Sequence, residues 1–128
     1  MPTLEVFLPA GHDEARKASL IAGLTYATVE SIGAPIDSVR VMLNELPQGH
    51  FAVAGQVVVP GSSEAAPVIL AILIAGRTEA QKVALIAALN QASVTALESS
   101  LAATRVMIKD IPNTDFGLAG KTAKSMGR

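Results

Sequence analysis

Hydrophobic residues along the chain gather into blocks separated by polar turns. Thr3–Leu8 and Val68–Ile74 are short apolar runs of strand length. Each is followed by a turn at a glycine, Gly11 or Gly76, and then by a longer stretch with apolar residues at helical spacing. These are Leu20, Ile21, Leu24 and Ile32 in the first stretch, and Leu85, Ile86, Leu89 and Leu97 in the second. Asp13 fits an N-cap with Glu14 in the positive first turn, and Thr78 with Gln81 three residues on fits a capping box. Gly33 followed by Pro35 stops the first helix; the second has no glycine stop, and the pattern ends near Ser99. Further strands are predicted over Val39–Glu45 and Thr104–Asp110, each leading into a loop with proline, phenylalanine and glycine. Strand, long helix and strand make a β-α-β crossover, with parallel strands and a right-handed connection.

The order of elements repeats because the sequence repeats. A shift of 65 positions aligns Pro2–Gly55 with Pro67–Gly120 without a gap, and 20 of the 54 pairs are identical. Composition alone gives roughly 4 or 5. The identities include Pro2/Pro67, Gly11/Gly76, Leu20/Leu85, Leu24/Leu89, Arg40/Arg105, Phe51/Phe116 and Gly55/Gly120. The chain therefore reads as a single domain, 1–128, made of repeats 2–55 and 67–120 joined by a linker, 56–66, in which Val57–Val59 suits a small extra strand. The fold class is α+β, a two-layer α/β arrangement: tandem β-α-β repeats forming a four-stranded sheet with two helices on one face.

That arrangement leaves a face open. Four strands span about 19 Å at the usual spacing, and two helices cover only one side. Yet Val68–Ile74 is apolar at every position, so both of its faces call for burial. The open face is expected to pack against other copies in a closed, symmetric assembly.

Half of the residues are hydrophobic but only 3% are aromatic, so the core must be aliphatic. The net charge is −1 with no basic block, which argues against nucleic acid or an anionic membrane surface as a partner. The longest apolar stretch, Ala65–Ala75, is too short to span a bilayer, and the start has no signal-peptide pattern; a cytoplasmic protein is expected. With no cysteine, thiolate chemistry and disulfides are excluded, and His12 and His50 alone do not suggest a metal site. His12 reads as an exposed turn residue and His50 as a loop residue.

Pro2 follows the initiator methionine. Removal of Met1 would leave a free secondary amine, with an ordinary pKa near 8 that burial beside arginines would lower toward neutrality. Proton transfer needs a base of that kind. Arg40, Arg77 and Arg105 fall at strand ends or in the turn before a helix, and arginine suits bidentate carboxylate binding.

The segment Ala34–Phe51, together with Pro2 placed 38 residues before Arg40 and 49 before Phe51, resembles 4-oxalocrotonate tautomerase. Both halves share the likeness, which covers nearly the whole chain and matches the fused, double-length members of that superfamily. The resemblance implies a tautomerase-like fold and a keto-enol isomerase acting on 2-hydroxymuconate-like dienol acids, with Pro2 as acid-base catalyst and no metal or cofactor. The substrate would be a small dicarboxylate or enol acid, and the assembly a homotrimer, equivalent to the hexamer that the family's half-length chains form. Arg77 of the second half would bind its carboxylate, Phe116 would wall off the pocket, and Arg40 or Arg105 would come from an adjacent subunit. His12 stands where the family has arginine. It would serve only a site at Pro67, whose nitrogen is an amide within the chain. Alternatives remain: a related hydratase, dehalogenase or decarboxylase of small three-carbon acids, the dehalogenase needing a carboxylate such as Asp115 to activate water, or a catalytically silent assembly subunit.

Overall fold

The structure, a computed structural model, describes residues 1–98 and 104–128. Strand β1 (Thr3–Pro9) alternates: Leu4, Val6 and Leu8 are fully buried, while Thr3, Glu5 and Phe7 face the other way and are part-exposed. Helix α1 (Glu14–Ile32) starts at Asp13, whose carboxylate accepts from the Arg16 N–H at 2.8 Å. It stops at Gly33, which adopts the left-handed conformation with φ 66° and donates to the Val29 carbonyl. The buried stripe of α1 is Leu20, Leu24, Thr28 and Ile32, four residues apart each time. Ile21 lies off this stripe and is 39% exposed, because one residue turns the helix by 100°; Ile86 is 42% exposed in the second helix for the same reason. The buried Thr28 hydroxyl donates to the Leu24 carbonyl at 2.8 Å, so its polarity is satisfied within the helix.

Strand β2 (Arg40–Leu46) runs parallel to β1, with Arg40 opposite Thr3, and begins one residue later than the pattern predicts. The following loop contains a hairpin, β3 (Ala52–Val53) and β4 (Gln56–Val57). The extra strand expected at Val57–Val59 thus lies slightly earlier, and Val58 instead donates from its backbone to Phe51 at 2.9 Å. The hairpin turns through Ala54 and Gly55, both at positive φ, as a tight two-residue connection requires.

The second copy repeats the plan with β5 (Val68–Ile74), α2 (Glu79–Leu97), β6 (Arg105–Ile111) and a hairpin of β7 (Gly117–Leu118) and β8 (Lys121–Thr122). The capping box at Thr78 and Gln81 is formed as expected. Helix α2 ends at Leu97, with Glu98 left-handed behind it; Ser99, where the sequence pattern ends, lies outside the described residues. The four long strands form one sheet in the order β2-β1-β5-β6. Each outer pair is parallel, and β1 meets β5 antiparallel.

Both helices lie on one face. Their leucines, Leu20, Leu24, Leu85 and Leu89, join Leu4, Val6, Ile69, Ala71 and Leu73 of the central strands in a single buried cluster. The other face carries Glu5 and Phe7 beside Val68, Leu70, Ile72 and Ile74, with Met42 and Met107 about half exposed at its edges. Among the described residues no helix is long and apolar enough to cross a membrane.

The register of the helical stripe is open to test. Leu89→Ala removes a fully buried side chain and should cost about 2–5 kcal/mol in urea unfolding, whereas Ile86→Ala on the half-exposed flank should cost less than about 1 kcal/mol. Equal losses at the two positions would mean that α2 packs through a different face.

Candidate active site

The antiparallel pairing sets Thr3 opposite Ile72, so the beginning of β1 lies beside the end of β5 and the turn that follows it. That turn carries Arg77, held between Gly76 and the helix cap at Thr78, where the Gln81 N–H donates to the threonine hydroxyl at 3.2 Å. A cleft of about 790 Å³ opens here. Its walls include Met1, Arg40, Arg77, Phe116, Leu118 and Arg128. Residues from both halves thus meet at the N-terminus.

Each arginine is fixed by backbone groups. The Arg40 backbone donates to the Pro2 carbonyl at 3.0 Å, and its guanidinium donates to the Asp37 carbonyl at 2.7 Å. Nη1 of Arg77 donates to the Ile32 carbonyl at the end of α1, across the boundary between the halves. Arg128 is held by its own N–H to the Ala123 carbonyl at 2.9 Å, and its carbonyl accepts from the Asn113 amide at 3.0 Å. These bonds tie the last residue to the loop that presents Phe116.

The cleft acts on the amine at its inner end. The terminal nitrogen of Met1 donates to the Ser38 carbonyl at 3.1 Å. Its pKa is lowered, first by burial and then by the positive charges of Arg128, Arg40 and Arg77. A lowered pKa on an amine favours the free base, so an amine in this cleft holds a lone pair at a lower pH than an ordinary chain terminus does. Pro2, directly behind Met1, is fully buried.

The sequence-predicted residues divide into two groups. Pro2, Arg40, Arg77 and Phe116 converge at this end of the sheet, with Arg40 lining the cleft of its own chain. Arg105 does not: it pairs with Val68 and donates to the Pro67 carbonyl at 3.2 Å, four strand positions, roughly 13 Å, along from Ile72. It occupies the equivalent place in the other half. There Pro67 is fully buried within the chain, and the linker packs over the neighbouring turn: a Cβ placed on Gly11 would lie 3.4 Å from that of Pro60.

His12 is half-buried rather than exposed, with its pKa lowered by burial and then by Arg16. His50 is exposed in a turn, as expected. Asp115 does not line the cleft, and its carboxylate accepts from the Thr114 hydroxyl at 2.8 Å. Arg128 and Leu118 were not singled out by sequence reasoning. Arg128 lies beyond Gly120, where the repeat ends, so it has no aligned counterpart to draw attention to it.

A second depression, of about 620 Å³, runs between the helices. Its floor is made of the small residues Gly23, Ala27, Ala88 and Ala92, and the charges at one end, Arg16 and Glu98, are paired at 3.1 Å. It gathers no set of convergent free charges comparable to that of the first cleft.

Comparison with known proteins agrees with the internal repeat. The sequence profile of the family described as "Tautomerase enzyme" matches residues 2–60 and again 67–126. A 2-hydroxymuconate tautomerase of Pseudomonas putida is 46% identical over 56 residues, which is 44% of this chain and 89% of that protein. The crystal structure of a native fused 4-OT is 65% identical, with a TM-score of 0.92, and the match covers 99% of this chain and all of that one. Another fused 4-OT, described as an asymmetric trimer, is 58% identical with a TM-score of 0.91, again over 99% and 100% of the two chains.

Proposed function

The chain belongs to the tautomerase family, and we propose that it converts a 2-hydroxymuconate-like dienol acid to its keto form with Pro2 as the acid-base group. The observation that carries this reading is the convergence of the N-terminus with Arg40, Arg77, Arg128 and Phe116 in one cleft. Loss of Met1 makes the Pro2 nitrogen a secondary amine, and the burial and positive charge that lower the Met1 amine act at the same end of the cleft. A carboxylate substrate finds guanidinium groups already oriented, so little ordering is left for the bound state.

In the reaction Pro2 takes the proton from the enol hydroxyl. The O–H electrons form the carbonyl, the conjugated double bond shifts, and the prolinium returns a proton to carbon. The arginines hold the carboxylate and stabilise the negative charge that develops on oxygen, the electrostatic contribution that is usually largest. Phe116 keeps water from the amine. Beyond this chain's own groups the reading calls only on the Arg105 of a neighbouring copy.

We take residues 1–128 as one domain, with repeats 2–55 and 67–120 sharing a core across the β1–β5 junction. We also propose that three chains assemble through the open sheet face. The apolar residues of β5 on that face support this, as does the description of a fused relative as a trimer.

Two experiments test the proposal. Pro2→Ala retains a terminal amine but a more flexible, primary one, and should lower kcat/KM on 2-hydroxymuconate by about 10²- to 10⁴-fold with the fold intact, while Pro67→Ala keeps nearly full activity. Arg77→Ala should lower it by roughly 10- to 200-fold, the equivalent of a charge-assisted bond of about 1.5–3 kcal/mol. His12→Ala, at the equivalent position, should change little. Near-full activity in Pro2→Ala, or equal losses at Arg77 and His12, would overturn the assignment. In the second experiment, sedimentation at micromolar concentration should show a particle of three chains; a stable monomer would contradict the use of the open face.

A further inference from the structure

The Arg77 guanidinium is not held by its own half. Its Nη1 donates to the carbonyl of Ile32, the last residue of α1, and Ile32 is almost wholly buried. Carbonyls in the last turn of a helix have no partner within the helix and carry the negative end of its dipole, so a guanidinium is well matched to one. That carbonyl stands where the chain leaves α1: the Gly33 N–H makes the last helical bond, to Val29, and the φ of 66° at Gly33 then turns the chain away from the helix end that Arg77 reaches. A Cβ added at Gly33 would meet nothing within 4 Å. Side chains at this position are therefore opposed by backbone conformation alone and not by crowding.

The other half supplies an internal comparison. The end of α2 has the same left-handed cap, but the residue there is Glu98, with φ 53°, a conformation that side chains other than asparagine and aspartate resist. The residue equivalent to Arg77 is His12, and the structure shows no hydrogen bond from it to Leu97, the last residue of α2. Glycine is thus found at the cap that holds an arginine in the cleft, and glutamate at the cap that does not.

We infer that the C-terminal turn of α1, through the Ile32 carbonyl and the left-handed Gly33 behind it, positions Arg77 for the substrate. One nitrogen of the guanidinium is committed to the helix end, and Arg77 lines the cleft. The first repeat in this way sets the reach of the second repeat's arginine, a coupling between halves distinct from the shared core. The inference rests on the reading of Arg77 as a substrate-binding group.

The test is a double-mutant cycle in the full chain, with 2-hydroxymuconate as substrate. Gly33→Val should raise KM and lower kcat/KM by roughly 3- to 10-fold with a smaller change in kcat, while Gly33→Asn, which tolerates the left-handed conformation, should retain most of the activity. In an Arg77→Ala background, Gly33→Val should change kcat/KM by less than about twofold, since no guanidinium remains to be positioned. If Gly33→Val does not fold, as judged by circular dichroism, the same cycle is run with Gly33→Ala. Losses that multiply across the cycle would overturn the positioning role and mark Gly33 as a structural residue only, as would a Gly33→Asn chain as impaired as Gly33→Val. Arg77→Ala with parental kinetics is a separate outcome: it removes the substrate role of Arg77, and the positioning role with it.

Discussion

The antiparallel pairing of β1 with β5 sets Glu5 opposite Leu70. Those two residues are equivalent in the 65-residue repeat, so the local two-fold axis that relates the halves passes between them. Every other placement follows from it. Residues before Glu5 run beside residues after Leu70, which brings the N-terminus to the turn that carries Arg77. The same operation sends Pro67 toward the turn at His12. Two equivalent corners result, one holding the Met1 amine and the other the peptide nitrogen of Pro67.

That difference gives the repeat its chemical asymmetry. At the first corner an amine is held at a lowered pKa, first by burial and then by the charges of Arg128, Arg40 and Arg77. At the second, the turn carries His12 in place of arginine, and the linker covers Gly11 through Pro60. Leu20, Leu24, Leu85 and Leu89 pack the two helices onto the sheet in the same manner, so the core is common to both halves, whereas Arg77, Gly33 and Arg128 have no identical counterparts in the other half.

The long elements were readable because the repeat records them twice, as it does Pro2, Arg40 and Phe116 in their counterparts Pro67, Arg105 and Phe51. Pro2, Arg40, Arg77 and Phe116 were placed by the resemblance to the tautomerase pattern, and the caps formed where the side chains of Asp13 and Thr78 and the conformational freedom of Gly33 directed them. Features without a counterpart or a strong local signal were not readable. Arg128 depends on the Ala123 and Asn113 contacts that fold the tail back, and nothing in its neighbours along the chain announces them. The short hairpins turn on Ala54-Gly55 and Ala119-Gly120, where alanine hides the positive φ that asparagine would have advertised. Ile21 and Ile86 belong to the apolar residues at helical spacing, but one residue's rotation from the leucines carries them to the half-exposed flank.

The central claim is that a proline amine in this corner is held as a free base by its surroundings, and it can be measured directly. In protein labelled with [15N]proline and shown by intact mass to lack Met1, Pro2 is the one proline whose nitrogen can titrate, since the other prolines, Pro67 among them, are amides. Its 15N resonance followed against pH should show a midpoint below the value near 8 of an ordinary terminal amine. In Arg77→Ala that midpoint should move up, because a nearby positive charge has been removed and protonation costs less. The ascending limb of kcat/KM should follow it to higher pH. A proline nitrogen that titrates at or above the ordinary value, unmoved by the loss of Arg77, would contradict the account.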